Sequence, residues 1–103
     1  MSYTYRAKLV RCVDGDTAVF DVDCGFHIQH RIYARLTGVD TTERGQPDYK
    51  KATAMLENLI ATQTNQEGYV VIHTGKTGKY GRWLVEIKGV NKVLAERWPY
   101  GKA

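Results

Sequence analysis

Ile28-Gln29-His30-Arg31-Ile32-Tyr33-Ala34-Arg35-Leu36-Thr37-Gly38-Val39-Asp40-Thr41-Thr42-Glu43 is the stretch around which the rest of the chain is organised. Its first nine residues alternate. Ile28, Ile32, Ala34 and Leu36 fall on one face of an extended segment, and Gln29, Arg31, Tyr33 and Arg35 on the other. Arg35 therefore leaves the strand on the polar side. Gly38 follows, where the chain can turn without a Cβ penalty. Beyond it lie two carboxylates, Asp40 and Glu43. A cation and two acids at a strand end suit a charged ligand, with or without a metal.

Upstream, Tyr5, Ala7, Leu9 and Val13 alternate with Arg6, Lys8 and Cys12, the pattern of a half-buried first strand. Asp14-Gly15-Asp16 is a tight-turn signature, and Ala18, Phe20 and Val22 alternate with Thr17, Val19, Asp21 and Asp23 beyond it. Cys24-Gly25-Phe26-His27 forms a second turn into the opening stretch, which completes a three-stranded meander. Downstream, Pro47 is placed for the first helical position and Asp48 for the positive end of the helix dipole. Tyr49, Ala52, Leu56, Leu59 and Ile60 recur at helical spacing, so a helix is expected to end near Thr62. Tyr69 to His73 reads as a fourth strand, and Trp83, Val85 and Ile87 as a fifth. Asn91 is placed to cap a short last helix, with Val90, Leu94 and Trp98 on its apolar side and Pro99 as its stop. Five short strands with one helix between the third and fourth, and a short C-terminal helix, predict a β-rich α+β OB-fold barrel.

Residues 1–103 are expected to form one domain, since this length supports one core and not two. The chain is 43% hydrophobic and 25% charged, a composition that folds. Its formal net charge of +4 leans towards anionic partners. Cys12 and Cys24 lack zinc-site spacing and are expected to be buried free thiols. His27, His30 and His73 have no ligand spacing either. No apolar run is long enough to span a bilayer, and Met1-Ser2-Tyr3-Thr4-Tyr5-Arg6 is not a signal peptide, so a monomer in the cytoplasm is expected.

Asp16 at the first hairpin turn and Asp40 past the third strand stand at element ends that a closed barrel can bring together. Paired carboxylates suit a hard cation such as Ca²⁺. Glu43 is a candidate general base for water, and Arg35 and Arg82 are guanidinium forks matched to phosphate. Taken singly these residues have plainer readings. Asp14-Gly15-Asp16 is hairpin chemistry, Arg35 a salt-bridge residue, and Lys76, Lys79 and Arg82 a basic loop. Thr74-Gly75-Lys76-Thr77-Gly78 is not a phosphate-binding P-loop, because its glycine spacing and context are wrong.

In combination, Val13-Asp14-Gly15-Asp16-Thr17, Arg35 through Glu43, and Lys79-Tyr80-Gly81-Arg82 resemble the staphylococcal nuclease (thermonuclease) family, and Val90-Asn91 with Leu94 resembles the start of its second helix. The likeness runs from Arg6 to Trp98. It implies an OB barrel that hydrolyses single-stranded or frayed DNA or RNA with Ca²⁺ and leaves 3′-phosphate ends. It further implies that Asp16 and Asp40 hold the ion through side chains and Thr41 through its carbonyl. Glu43 is then the general base, Arg35 and Arg82 grip the scissile phosphate, and Lys79 and Tyr80 contact the other phosphate. The chain departs from the family at Thr42, where proline is usual, and in its short loop from Glu43 to the helix. It also lacks the third helix and the tyrosines before it, which leaves Trp98 and Tyr100 as candidates to stack on a base. The alternative function is a non-catalytic OB module that binds nucleic acid or protein.

Overall fold

A computed structural model describes residues 3–39, 41, 48–77 and 81–98, with only the backbone of residues 76 and 77. Among them the chain forms β1 (Tyr3–Asp14), β2 (Thr17–Asp23), β3 (Gln29–Leu36), α1 (Tyr49–Gln63), β4 (Val70–Thr77), β5 (Trp83–Glu86) and α2 (Asn91–Arg97). The strands close a barrel in the order β1-β2-β3-β5-β4. All neighbours are antiparallel except β3 and β5, which run parallel with Ala34 opposite Trp83 and Leu36 opposite Val85. This is an OB-fold-like α+β architecture, with one helix between the third and fourth strands and a short C-terminal one, as expected from the element order. No helix among the described residues is long and apolar enough to cross a membrane.

The core explains the alternation. Ala7, Ala18, Phe20, Ala34, Leu36, Ile72 and Val85 point inward from the five strands and are buried. Ala52, Leu56 and Ile60, spaced four residues apart on α1, pack into the same cluster. The α1 helix starts two residues after Pro47. Tyr49, rather than proline, is its first helical residue, and Asp48 is its N-cap, in a left-handed conformation (φ 67°) and with no side-chain cap bond. Pro47 and Pro99 lie outside the described residues.

Three expectations need correction. A register shift between Leu9 and Arg11 adds a residue to β1, so the inward face changes phase at Val10. Cys12 then pairs with Ala18 and packs against the core rather than standing on the polar face. Cys24, just past the last residue of β2, is exposed, and Ile28 is also exposed because β3 begins only at Gln29. Val19 faces outward yet is 1% exposed. Its cross-strand neighbours Arg11 and Tyr33 join over it through an Arg11 Nη2–Tyr33 Oη bond of 3.2 Å.

Both cysteines are free, in unlike surroundings. Burial, with Glu57 and Asp14 nearby, pushes the Cys12 thiol up to about 12. A shift of that size from 9.0 cuts its thiolate fraction about a thousandfold. A disulfide reagent at pH 8 is expected to titrate one thiol per chain rapidly, Cys24, and to reach Cys12 only as the fold opens. Two equally fast thiols would contradict the phase change at Val10.

Candidate active site

The β1–β2 turn, the end of β3 and the loop behind it meet at one end of the barrel. Thr17 pairs with Arg35, and the Leu36 amide donates to the Asp16 carbonyl at 2.8 Å, so Asp16 is carried against the last turn of β3. Its side chain is 11% exposed. Oδ1 accepts the Thr17 hydroxyl at 2.9 Å, and Oδ2 accepts the Thr41 amide at 3.3 Å. Arg35 Nη1 stands 3.5 Å from Oδ2. The same nitrogen donates to the carbonyls of Leu36 and Val39, which folds the loop back over the guanidinium. Gly38 makes that reversal with φ 75°.

Burial pushes the Asp16 carboxyl up to about 6. A hydrogen bond and repulsion from Asp14 act in the same direction, while Arg35 and the Thr17 hydroxyl act against it. A desolvated carboxylate whose ionised form is under-compensated has room for more positive charge. The Thr41 hydroxyl is buried with no hydrogen-bond partner among the described residues. Oxygen donors of this kind fit a hard cation such as Ca²⁺ better than a soft one. Among the described residues no three His, Cys, Asp or Glu side chains cluster as a ready-made metal site.

Asp16, Arg35 and Thr41 are thus brought together. Arg82, half-buried, directly precedes Trp83, which pairs with Ala34. By alternation it lies on the outer face that Arg35 occupies. Asp40, Glu43, Lys79, Tyr80 and Tyr100 lie outside the described residues. Trp98 is 7% exposed and belongs to the core, so it does not offer a surface for stacking on a base. No protein-family model and no curated protein matches this chain.

Two supports of the site escape a pattern reading. Gly15 reads as a turn residue, but its role is space: a Cβ there would stand 2.5 Å from Thr41 Oγ1 and 2.6 Å from Ala52 Cβ on α1. Gly15→Ala is expected to cost about 1–3 kcal/mol, as overpacking does, and to push Thr41 off Asp16. Thermal unfolding measures the cost, and an unchanged midpoint would mean that α1 does not sit on this turn. Asn91 is the second. It is the first residue of α2 rather than its cap; Val90 is the N-cap. Its Oδ1 accepts the Ile87 amide at 2.8 Å, and its Nδ2 donates to the Thr37 and Val85 carbonyls at 2.9 and 3.0 Å.

Proposed function

We propose that this protein is a Ca²⁺-dependent nuclease of the thermonuclease kind, acting on single-stranded or frayed DNA or RNA. The observation that carries the reading is the buried Asp16 carboxylate, held within 3.5 Å of the Arg35 guanidinium and bonded by the amide of Thr41. A carboxylate, a phosphate-matched cation and Thr41 then share one end of the barrel, and Asp40 and Glu43 are close neighbours of Thr41 in the sequence.

In this mechanism Asp16 and Asp40 would hold calcium through their side chains and Thr41 through its carbonyl. Calcium, when bound, supplies positive charge that polarises the phosphoryl group. Glu43 takes a proton from the attacking water. Arg35 and Arg82 donate to the equatorial phosphate oxygens, where charge builds in the transition state. The bonds from Arg35 Nη1 to two loop carbonyls hold its plane in place before substrate arrives. Lys79 and Tyr80 bind the neighbouring phosphate.

Denatured DNA or RNA incubated with the protein and Ca²⁺ tests the reading. Cleavage leaving 3′-phosphate ends, lost on chelation and in Asp40→Ala and Glu43→Ala, is expected. No turnover above those variants, with salt-sensitive binding that needs no metal, would replace it with the non-catalytic binding module.

A further inference from the structure

The outer face of the barrel carries a second feature, away from Asp16. Where β2 turns into β3, Gly25, Phe26 and His27 have φ of 80°, 55° and 60°, and the Ile28 amide closes onto the Gly25 carbonyl at 2.9 Å. Positive φ at both central positions marks a type I′ hairpin turn, which favours Asn-Gly. Phe and His adopt it against their own preference. The turn leaves Phe26 94% exposed.

Phe26 borders a cleft of about 530 Å³, lined also by Arg6, Asp23, His27, Gln29 and Tyr69. Arg6 is held in place there. Its Nε donates to Asp23 Oδ2 at 2.7 Å, and its Cζ lies 4.4 Å from the centroid of the Tyr69 ring. One wall is thus an ordered guanidinium plane and another an aromatic ring, with amide, carboxylate and imidazole edges between them.

The cleft is linked to Arg35 by the sheet itself. Across β1, β2 and β3 the register sets Arg6–Asp23–Gln29, then Lys8–Asp21–Arg31, then Arg11–Val19–Tyr33, then Asp14–Thr17–Arg35. Every row carries a cation on the outer face, and three carry an acid as well. Asp23 is paired with Arg6, Asp21 with Arg31, and Asp14 shares the row of Arg35, so the row charges sum to an excess of cations through Lys8 and Arg11. From Asp23 to Thr17 the rows span about 20 Å of strand. OB barrels bind single strands over sites of about 4–16 nucleotides by pairing basic grooves with stacking rings.

We propose that this cleft is a second nucleic-acid subsite, in which one nucleobase of a single strand stacks between Phe26 and Arg6 while its phosphates pass Lys8 and Arg11 on the way to Arg35. The strand's path to Arg35 rests on the nuclease reading; the cleft's affinity for a base does not.

The test is binding in EDTA, where nothing is cleaved, read by fluorescence anisotropy with labelled oligothymidylates. A dodecamer is expected to bind more tightly than a dinucleotide. Phe26→Ala is expected to weaken dodecamer binding about tenfold, the loss typical of one stacked base. A double variant, Phe26→Asn with His27→Gly, suits the turn. It is expected to melt higher than the parent and still lose the same affinity, which a merely structural role for Phe26 would not produce. Unchanged dodecamer affinity in both variants overturns the proposal. So does a Phe26→Ala effect confined to self-association in light scattering, which would make a second copy the occupant. Absence of cleavage alongside Phe26-dependent binding rejects the nuclease reading and keeps the subsite. Cleavage without Phe26 dependence in binding does the reverse.

Discussion

Asp16→Asn is expected to make the metal-free protein more stable and, on the nuclease reading proposed above, to abolish Ca²⁺-dependent cleavage. The folded Asp16 carboxyl holds its proton up to about pH 6, against 3.8 for an ordinary aspartate. The native state therefore binds more protons than the unfolded chain between those values, and stability falls as pH rises through that window. The cost is absent below 3.8 and complete above 6. Asparagine mimics the protonated form, with its oxygen towards Thr41 and Arg35 and its NH₂ towards the Thr17 hydroxyl. At pH 8 in EDTA the variant should gain about 2 kcal/mol, and near pH 4 the gain should vanish. Urea unfolding at the two pH values measures it. On that reading cleavage should fall by about a hundredfold or more, because a charge that would hold the cation beside the phosphate is gone. Any rise in melting temperature that Ca²⁺ gives the parent should disappear. A variant less stable than the parent at pH 8 would mean that Arg35 and the amide of Thr41 already compensate the carboxylate in full.

Asn91→Ala is expected to be the most destabilising alanine substitution at a polar position. It removes one acceptor and two donations at a site 7% exposed, and strands the Ile87 amide and the Thr37 carbonyl, while the Val85 carbonyl loses one of two donors. Each stranded buried group costs about 1–3 kcal/mol, so a loss of about 3 kcal/mol or more is expected. For a domain of this size that lowers the melting temperature by roughly 15 °C. The damage should reach the site. Thr37 also donates its amide to the Val85 carbonyl at 2.9 Å, at the parallel seam that closes the barrel just behind Arg35. Asn91→Asp keeps the acceptor but turns a carboxylate oxygen onto the Thr37 and Val85 carbonyls, so at neutral pH it should destabilise at least as much as alanine. A loss below 1 kcal/mol for alanine, measured by denaturant unfolding, would show that water replaces the side chain and that the seam does not depend on it.

How much of this was legible in the chain follows from the range over which each interaction acts. Period-two and period-four burial are local, so β2, β3, α1 and the five-strand order could be read from Phe20, Ala34, Leu56 and their neighbours. Candidate site residues could be named because carboxylates and guanidiniums declare their chemistry, and Arg35 could be placed on the outer face by alternation. The bulge at Val10 could not be read, because an added residue on one strand is defined only against its partner, and it carried Cys12 to the core side. Trp98 joined the core for a similar reason: whether a ring is buried depends on what packs over it. The purpose of Gly15 was set by Ala52 and Thr41, remote in sequence. Asn91, a cap by local chemistry, became a strut because β3 and β5 had come together above it. Composition and periodicity thus determined the elements and the stock of reactive groups. Barrel closure alone decided which carboxylate lost its water and which guanidinium lay beside it, since desolvation and Coulomb attraction depend on separation in space.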